Sequence, residues 1–401
     1  MLRKCYGSPV RHPPLPLLVI VLGACATLAP LGIDGFLPAT TAAAVTFGTD
    51  AAGMQVTLAA FTVGVAIGQV VHGPLSDRVG RRKALLIALG LMSAASAAVA
   101  AAPSLDTLTA ARVLQGFAAA SGMTICRAIV RDLFAREEAA RVMSYMTVVS
   151  GLGPILFPIV AGTLAVAIDW RAVPAFAAIY VALAALTFAV TVPETNARLD
   201  PDAFSPGTMV LAWRTVLRDA GFRRYLLINC FGNVGLFAFL AASPKVVMGI
   251  IGAAPDLFGV YFAATTACFS LGAFSGGRLV GRFGIHGVVR AGAVICLVAG
   301  AIVTTLAGAG EAHVIAVMAP IALFLLGYGA VVPCVTAAAL TPFPQIAGAA
   351  SSAMGLAQQI TATLTALAIA ALGASQMAMA LGVLASGAAV AALALSRRRV
   401  V

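Results

Sequence analysis

GPLSDRVGRRK, residues 73–83, places Arg78, Arg81, Arg82 and Lys83 together with Asp77 between two apolar runs, 51–74 and 84–102. About 20 apolar residues are needed for a helix to cross a bilayer, so this charged segment reads as a short connection between two membrane spans. Reading outward, the same alternation repeats. Apolar runs lie near 15–38, 51–74, 84–102, 106–129, 142–165, 172–193, 225–248, 257–280, 290–309, 313–338, 346–373 and 376–396. The longest polar stretch without a span is 194–224, which divides the runs six and six. Composition agrees: the chain is 61% hydrophobic and 10% charged, against roughly 25% charged in soluble domains. One soluble core of this length cannot hide that much apolar surface. An ordinary soluble enzyme, a disordered chain and a secreted domain are excluded. The expected fold is all-α and integral to the membrane, with twelve spans in two six-helix pseudo-repeat bundles. Residues 1–193 and 225–401 would form the bundles, and 194–224 a cytoplasmic linker.

The basic residues orient the chain. Of the 25 lysines and arginines, all but Arg112, Arg127, Arg171 and Lys245 fall in segments on one side of the membrane, among them Arg3, Lys4, Arg11, Arg198, Arg397, Arg398 and Arg399. The positive-inside rule then puts both termini in the cytoplasm, and it accounts for the net charge of +11 without nucleic acid as a partner. Arg3, Lys4 and Arg11 before the first span, with LGAC at 22–25, mimic a processed leader. The apolar run is too long for a signal core, and its removal would leave an odd number of spans with the basic loops outside. The seven cysteines (Cys5, Cys25, Cys126, Cys230, Cys268, Cys296 and Cys334) are scattered without a CxxC pair, and the four histidines lack ligand spacing. They read as small buried hydrophobes and as no metal site. An internal repeat supports two halves: Gly73, Leu75, Arg78 and Gly80 match Gly277, Leu279, Arg282 and Gly284, each 204 residues on. Parallel repeats of this kind occur in secondary transporters.

Several motifs resemble the major facilitator superfamily. GPLSDRVGRRK is similar to the signature between its second and third helices. RVLQGFAAASG at 112–122 resembles the fourth-helix signature of proton-coupled members. GLGPILFPIVAG at 151–162 resembles the fifth-helix pattern of drug–proton antiporters, with Ala161-Gly162 replacing the final pair of glycines. IDGFLPAT at 33–40 and ASPKVVMG at 242–249 resemble the Bcr/CflA drug-resistance subfamily, although Gly35 and Phe36 replace its Met and Tyr. SPKVVMG and GRFGIHGVVRAG are similar to the phenicol exporters. The resemblance implies a bacterial inner-membrane exporter of small hydrophobic or amphipathic antimicrobials. It would act as a monomer by alternating access, driven by protons with no cofactor. A proton-coupled uptake symporter on the same scaffold is the alternative. A membrane-embedded transferase would need clustered His, Asp or Glu at a membrane boundary, and none occurs.

Coupling needs a group that changes charge within the membrane. A charge there costs about 2.5–3.5 kcal/mol on insertion scales, so few are expected. Only Asp34 and Arg112 lie well inside spans, both roughly 6–9 Å below the same boundary by helical rise. Asp34 is expected to be the protonation site, with Arg112 favouring its ionised form. Alternatively, Asp34 is interfacial and solvated and Arg112 is a structural donor. Gln115, Gly116 and Met123 follow Arg112 at helical spacing. Gly64 and Gly68 suit close helix packing. In the charged motif, the resemblance implies a gate latch of Gly73, Asp77, Arg78, Gly80 and Arg81, with Asp77 pairing to Arg127 or Arg131; the alternative is simple anchoring to anionic lipid. Gly151, Gly153, Pro154, Pro158 and Gly162 should bend the fifth span. A midplane pocket between the bundles would draw on Gln115, Met123, Tyr145, Asn229, Asn233, Phe237, Tyr328 and Gln358. Asn229 and Asn233 are equally suited to hydrogen bonds between helices.

Overall fold

A computed structural model describes residues 13–134, 136–196, 199–200, 206–343 and 346–396. Arg3, Lys4, Arg11, Arg198, Arg397, Arg398, Arg399 and Cys5 lie outside the described residues. Among the described residues the regular structure is helical throughout. Eleven helical stretches among the described residues are long and apolar enough to cross a membrane. One of them contains two spans, which gives twelve.

The first span is built from pieces. α1 (Leu15–Ala26) and α2 (Leu28–Ile33) are separated at Thr27. Pro30 has no N–H to offer the Ala26 carbonyl, so the helical ladder fails there. The Thr27 hydroxyl turns back to donate to the Ala24 carbonyl at 2.7 Å. After Ile33 the chain turns through Asp34–Phe36, makes a 3₁₀ turn (Leu37–Ala39) and continues as α3 (Thr40–Thr46). The single helix expected over 15–38 is therefore corrected, because Pro30 and Pro38 each remove a ladder donor.

α4 (Ala51–Val79), α5 (Arg81–Ala100) and α6 (Leu105–Leu133) follow. The segment expected to be a loop at 75–83 is helix on both sides of one residue, Gly80, at φ +98° and ψ 147°. α7 (Arg136–Gly151) and α8 (Gly153–Ala167) form the fifth span, broken at Leu152. Pro154 lacks the N–H that would reach the Ser150 carbonyl, which places the expected bend. α9 (Ala172–Thr191) ends the first half. The stretch read as plain linker contains an amphipathic helix, α10 (Pro206–Arg218). α11 (Ala220–Ser243) runs on through a π turn (Pro244–Ile250), so the seventh span starts earlier than expected. α12 (Pro255–Gly308) spans 54 residues and contains the eighth and ninth spans, joined at Gly284 with φ +68° and ψ 166°. α13 (Val314–Leu340), α14 (Ala347–Ala371) and α15 (Gln376–Leu395) complete the fold.

Gly80 and Gly284 are partners in the 204-residue repeat, and both adopt a conformation open essentially to glycine alone. A side chain at Gly80 would also collide with the Glu194 carboxylate, whereas Gly284 faces open space. Gly80→Ala is expected to cost about 1–3 kcal/mol from backbone strain, plus the collision. Gly284→Ala should cost the strain alone. Melting curves in detergent should show the larger drop for Gly80→Ala.

Two main cores form. One packs Leu18, Phe61, Leu89, Ile125 and Val181 among the first-half helices. The other packs Phe239, Phe262, Phe324 and Val383, almost wholly from the second half. The halves cross at two seams. At α8–α12, a Cβ on Gly162 would strike the Pro255 carbonyl, and one on Gly259 would strike that of Pro158. These spans therefore touch backbone to backbone. At α4–α14, the Thr62 and Thr363 hydroxyls are 2.7 Å apart, and the Gln69 side chain lies directly against Gly355.

Candidate transport site

The turn after α2 leaves a carbonyl to be satisfied. Phe36 N–H bonds to Ile33 O at 3.1 Å, so Gly32 O loses its helical donor. Arg112 supplies the replacement. Its Nη1 donates to Gly32 O at 2.7 Å and to Gln115 Oε1 at 2.6 Å. Gln115 Nε2 continues to Ser96 Oγ at 2.9 Å. The guanidinium lies over the Phe61 and Phe36 rings, 4.4 and 4.9 Å from their centroids. Arg112 is 1% exposed, and its Nε has no partner among the described residues. One cation thus ties the first, third and fourth spans together. A tight cleft borders it, walled by Gly35, Phe36, Phe157 and Phe176.

Asp34 caps α2, two residues beyond Gly32 and two before Phe36. Its backbone N–H donates to Pro30 O at 2.8 Å. Its side chain is half-buried and, among the described residues, makes no hydrogen bond or ion pair. Arg112 makes no ion pair with Asp34: the Gly32 carbonyl and the Gln115 amide oxygen hold the guanidinium.

Four residues singled out in the second half meet in one network. Tyr328 OH donates toward Asn229, whose O and Oδ1 both lie at 3.2 Å. Gln358 Nε2 donates to Asn229 Oδ1 at 2.9 Å. Asn233 Nδ2 donates to the Gln358 carbonyl at 2.8 Å. Asn229, Asn233 and Tyr328 are buried, and Gln358 half-buried. The network joins α11, α13 and α14. Asn229→Ala would leave Gln358 Nε2 without its acceptor and Tyr328 OH with the residue-229 carbonyl alone. It is expected to lower stability by about 1–3 kcal/mol, read as a lower melting temperature in detergent. Phe237 packs in the second-half core, and Met123 is half-buried against the first-half core. Tyr145 is 48% exposed. A cavity of about 460 Å³ lies at the α4–α14 seam, and none of the expected pocket residues lines it. Hydrogen bonds between helices engage Asn229, Asn233, Tyr328 and Gln358, while Gln115 lines the cleft beside Arg112.

The charged motif closes on itself. Arg81 pairs with Asp77 at 2.5 Å and with Asp132 at 3.0 Å, and its Nη1 donates to Ser76 Oγ at 2.7 Å. Arg127 and Arg131 are exposed, and neither pairs with Asp77. The corner at Gly80 brings Arg81 back to the end of α4, where it takes the place expected for those two arginines. Glu194 had not been singled out. Its carboxylate accepts from the backbone N–H groups of Arg81 at 2.9 Å and Arg82 at 3.0 Å, which caps α5 where an anion suits the helix dipole. Asn196 Nδ2 donates to the Asp77 carbonyl at 3.1 Å. Gly73 makes no close packing contact. Gly153 lies beside Thr27 and Phe157, and Gly151 faces open space.

With this geometry in place, comparison with known proteins settles the lineage. Residues 22–366 match the Major Facilitator Superfamily. The chain belongs to that family. An uncharacterized MFS-type transporter from Bacillus subtilis (strain 168), YdgK, is 32% identical over 84% of this chain and 85% of its own length. The chloramphenicol resistance protein of Pseudomonas aeruginosa is 30% identical over 82% of this chain and 78% of its own. The crystal structure of a D-xylose-proton symporter superposes with a TM-score of 0.74 at 16% identity, covering 95% of this chain and 96% of that one. That likeness shows the fold alone. In major facilitator terms, α1–α9 and α11–α15 are the two six-span halves of a multi-pass membrane protein, and α10 belongs to the segment between them.

Proposed function

We propose that this major facilitator chain exports small hydrophobic or amphipathic antimicrobials, phenicols among them, from a bacterium in exchange for protons. It acts as a monomer in the inner membrane, with both termini in the cytoplasm, needs no cofactor and is not an enzyme. Residues 1–193 and 225–401 are the rocking bodies, and 194–224 is the cytoplasmic linker. One observation carries the reading: Asp34 is a membrane-span carboxyl without a bonding partner among the described residues, on the turn just after the Gly32 carbonyl that anchors a buried arginine. An unpaired ionised carboxylate at depth costs about 2.5–3.5 kcal/mol, so it gains by taking a proton. Arg112, held by Gly32, keeps a fixed positive charge near that turn and competes with the proton. Cargo binding and protonation then alternate as the halves rock. The chloramphenicol resistance name of one relative supports the cargo class. The Asp77–Arg81–Asp132 cluster with the Glu194 cap serves as the latch of the first half's cytoplasmic end.

The test is a susceptibility panel in a pump-deficient host, spanning phenicols, bicyclomycin, fluoroquinolones and lipophilic cations. Expression should raise resistance to at least one class. Unchanged susceptibility with proton-dependent accumulation of a metabolite would replace export by uptake.

A further inference from the structure

The 460 Å³ groove at the α4–α14 seam is almost wholly apolar. Val63, Ile67 and Val70 line it from α4, and Leu356, Ile360 and Leu364 from α14. Ile67, Ile360 and Leu364 are 49%, 48% and 62% exposed, so the groove opens sideways toward lipid, with the Thr62–Thr363 contact beside it. Its end nearest Gly80 is basic. On α4 the lining stripe 63, 67, 70, 71 continues at helical spacing to Pro74 and Arg78. Arg78 lies about 10 Å beyond Val71. On α14, Ser352 stands one turn before Leu356 and accepts from Trp213 Nε1 of α10 at 3.1 Å. α10 buries Val216 against the start of α11 and α14. Its outward arc carries Val210, Leu211, Leu217, Arg214 and Arg218, and Leu211 is 66% exposed. The side chains of Arg78, Arg214 and Arg218 are exposed and make no hydrogen bond or ion pair among the described residues.

An apolar slot for a hydrocarbon chain, ending among unpaired arginines at the membrane boundary, has the polarity of one molecule. The geometry points to a bound anionic phospholipid, with an acyl chain in the α4–α14 groove and its phosphate among Arg78, Arg214 and Arg218. Basic residues at this level attract acidic headgroups, and arginine stems lie along apolar surface while their heads reach phosphate. Exposed leucines on a basic amphipathic helix are at home in the interface. The groove lies between the two halves, so its occupant bears on their relative motion. The site does not depend on the identity of the cargo.

Native mass spectrometry of the full-length chain in detergent tests this, with phosphatidylglycerol and phosphatidylethanolamine added in parallel. Phosphatidylglycerol should be retained and phosphatidylethanolamine lost. Arg214→Gln with Arg218→Gln should weaken retention about fivefold for each arginine removed. Ile67→Trp with Ile360→Trp, both at exposed positions, should fill the groove and abolish retention at an unchanged melting temperature. Equal retention of the two lipids, no retention of either by the unaltered chain, or phosphatidylglycerol binding untouched by the arginine pair would overturn the assignment. Should the tryptophan pair misfold, the arginine pair decides alone.

Discussion

Asp34→Asn is expected to return a resistant host to the susceptibility of cells carrying empty vector, while the protein is made and folded as before. Both halves of that expectation come from the same geometry. The carboxyl has no hydrogen-bond partner among the described residues, so the isosteric amide breaks nothing in the fold. What it removes is the only acidic group placed well within a span. Asparagine mimics the protonated form permanently, so the carrier can no longer exchange a proton for cargo. Drug-for-drug exchange across vesicles, which needs no change of charge at Asp34, should survive. Resistance assays and counterflow on the same variant check the two parts. Full proton-coupled export by Asp34→Asn would remove Asp34 from the mechanism.

Arg112→Met is the second large effect, and its sign separates function from scaffold. Arg112 is buried at 1% exposure without a carboxylate partner among the described residues. Carbonyl, amide and ring contacts compensate it only in part, since Nε stays unsatisfied. Replacing buried ionic groups by apolar residues of similar volume is often neutral, or stabilising by about 1–4 kcal/mol. Methionine also leaves Gly32 O and Gln115 Oε1 without their donor, a cost of about 1–3 kcal/mol that offsets this gain, so the melting temperature should change little while export falls to background. A structural donor would give the opposite result: a lower melting temperature with transport retained in the surviving protein.

The spans were legible because lipid demands long apolar runs, and the two halves because a repeat survives around Gly73 and Gly277. Its last matched pair, Gly80 and Gly284, marks the two corners, yet only the backbone shows that each turn is a single residue. The network of Asn229, Asn233, Tyr328 and Gln358 was signalled by polar groups in apolar helices, which must find partners. Residue counting gave Asp34 and Arg112 a common depth, but depth does not fix the direction of a side chain. That direction follows from the orphaned Gly32 carbonyl, itself a consequence of the turn at 34–36. Asp77's partner was missed for a similar reason, since the Gly80 corner makes Arg81 its nearest cation. Glu194 and Asp132 had a signal that went unread: each is an acid within a basic segment. α10 was hidden because its apolar residues are too few for a span.

Proton release on drug binding tests the central claim most directly. Purified protein in weakly buffered detergent, with a pH-indicator dye, is mixed with an exported drug. The unaltered chain should release protons as the drug binds, and Asp34→Asn should bind the drug and release none. Equal release from both proteins would contradict the account.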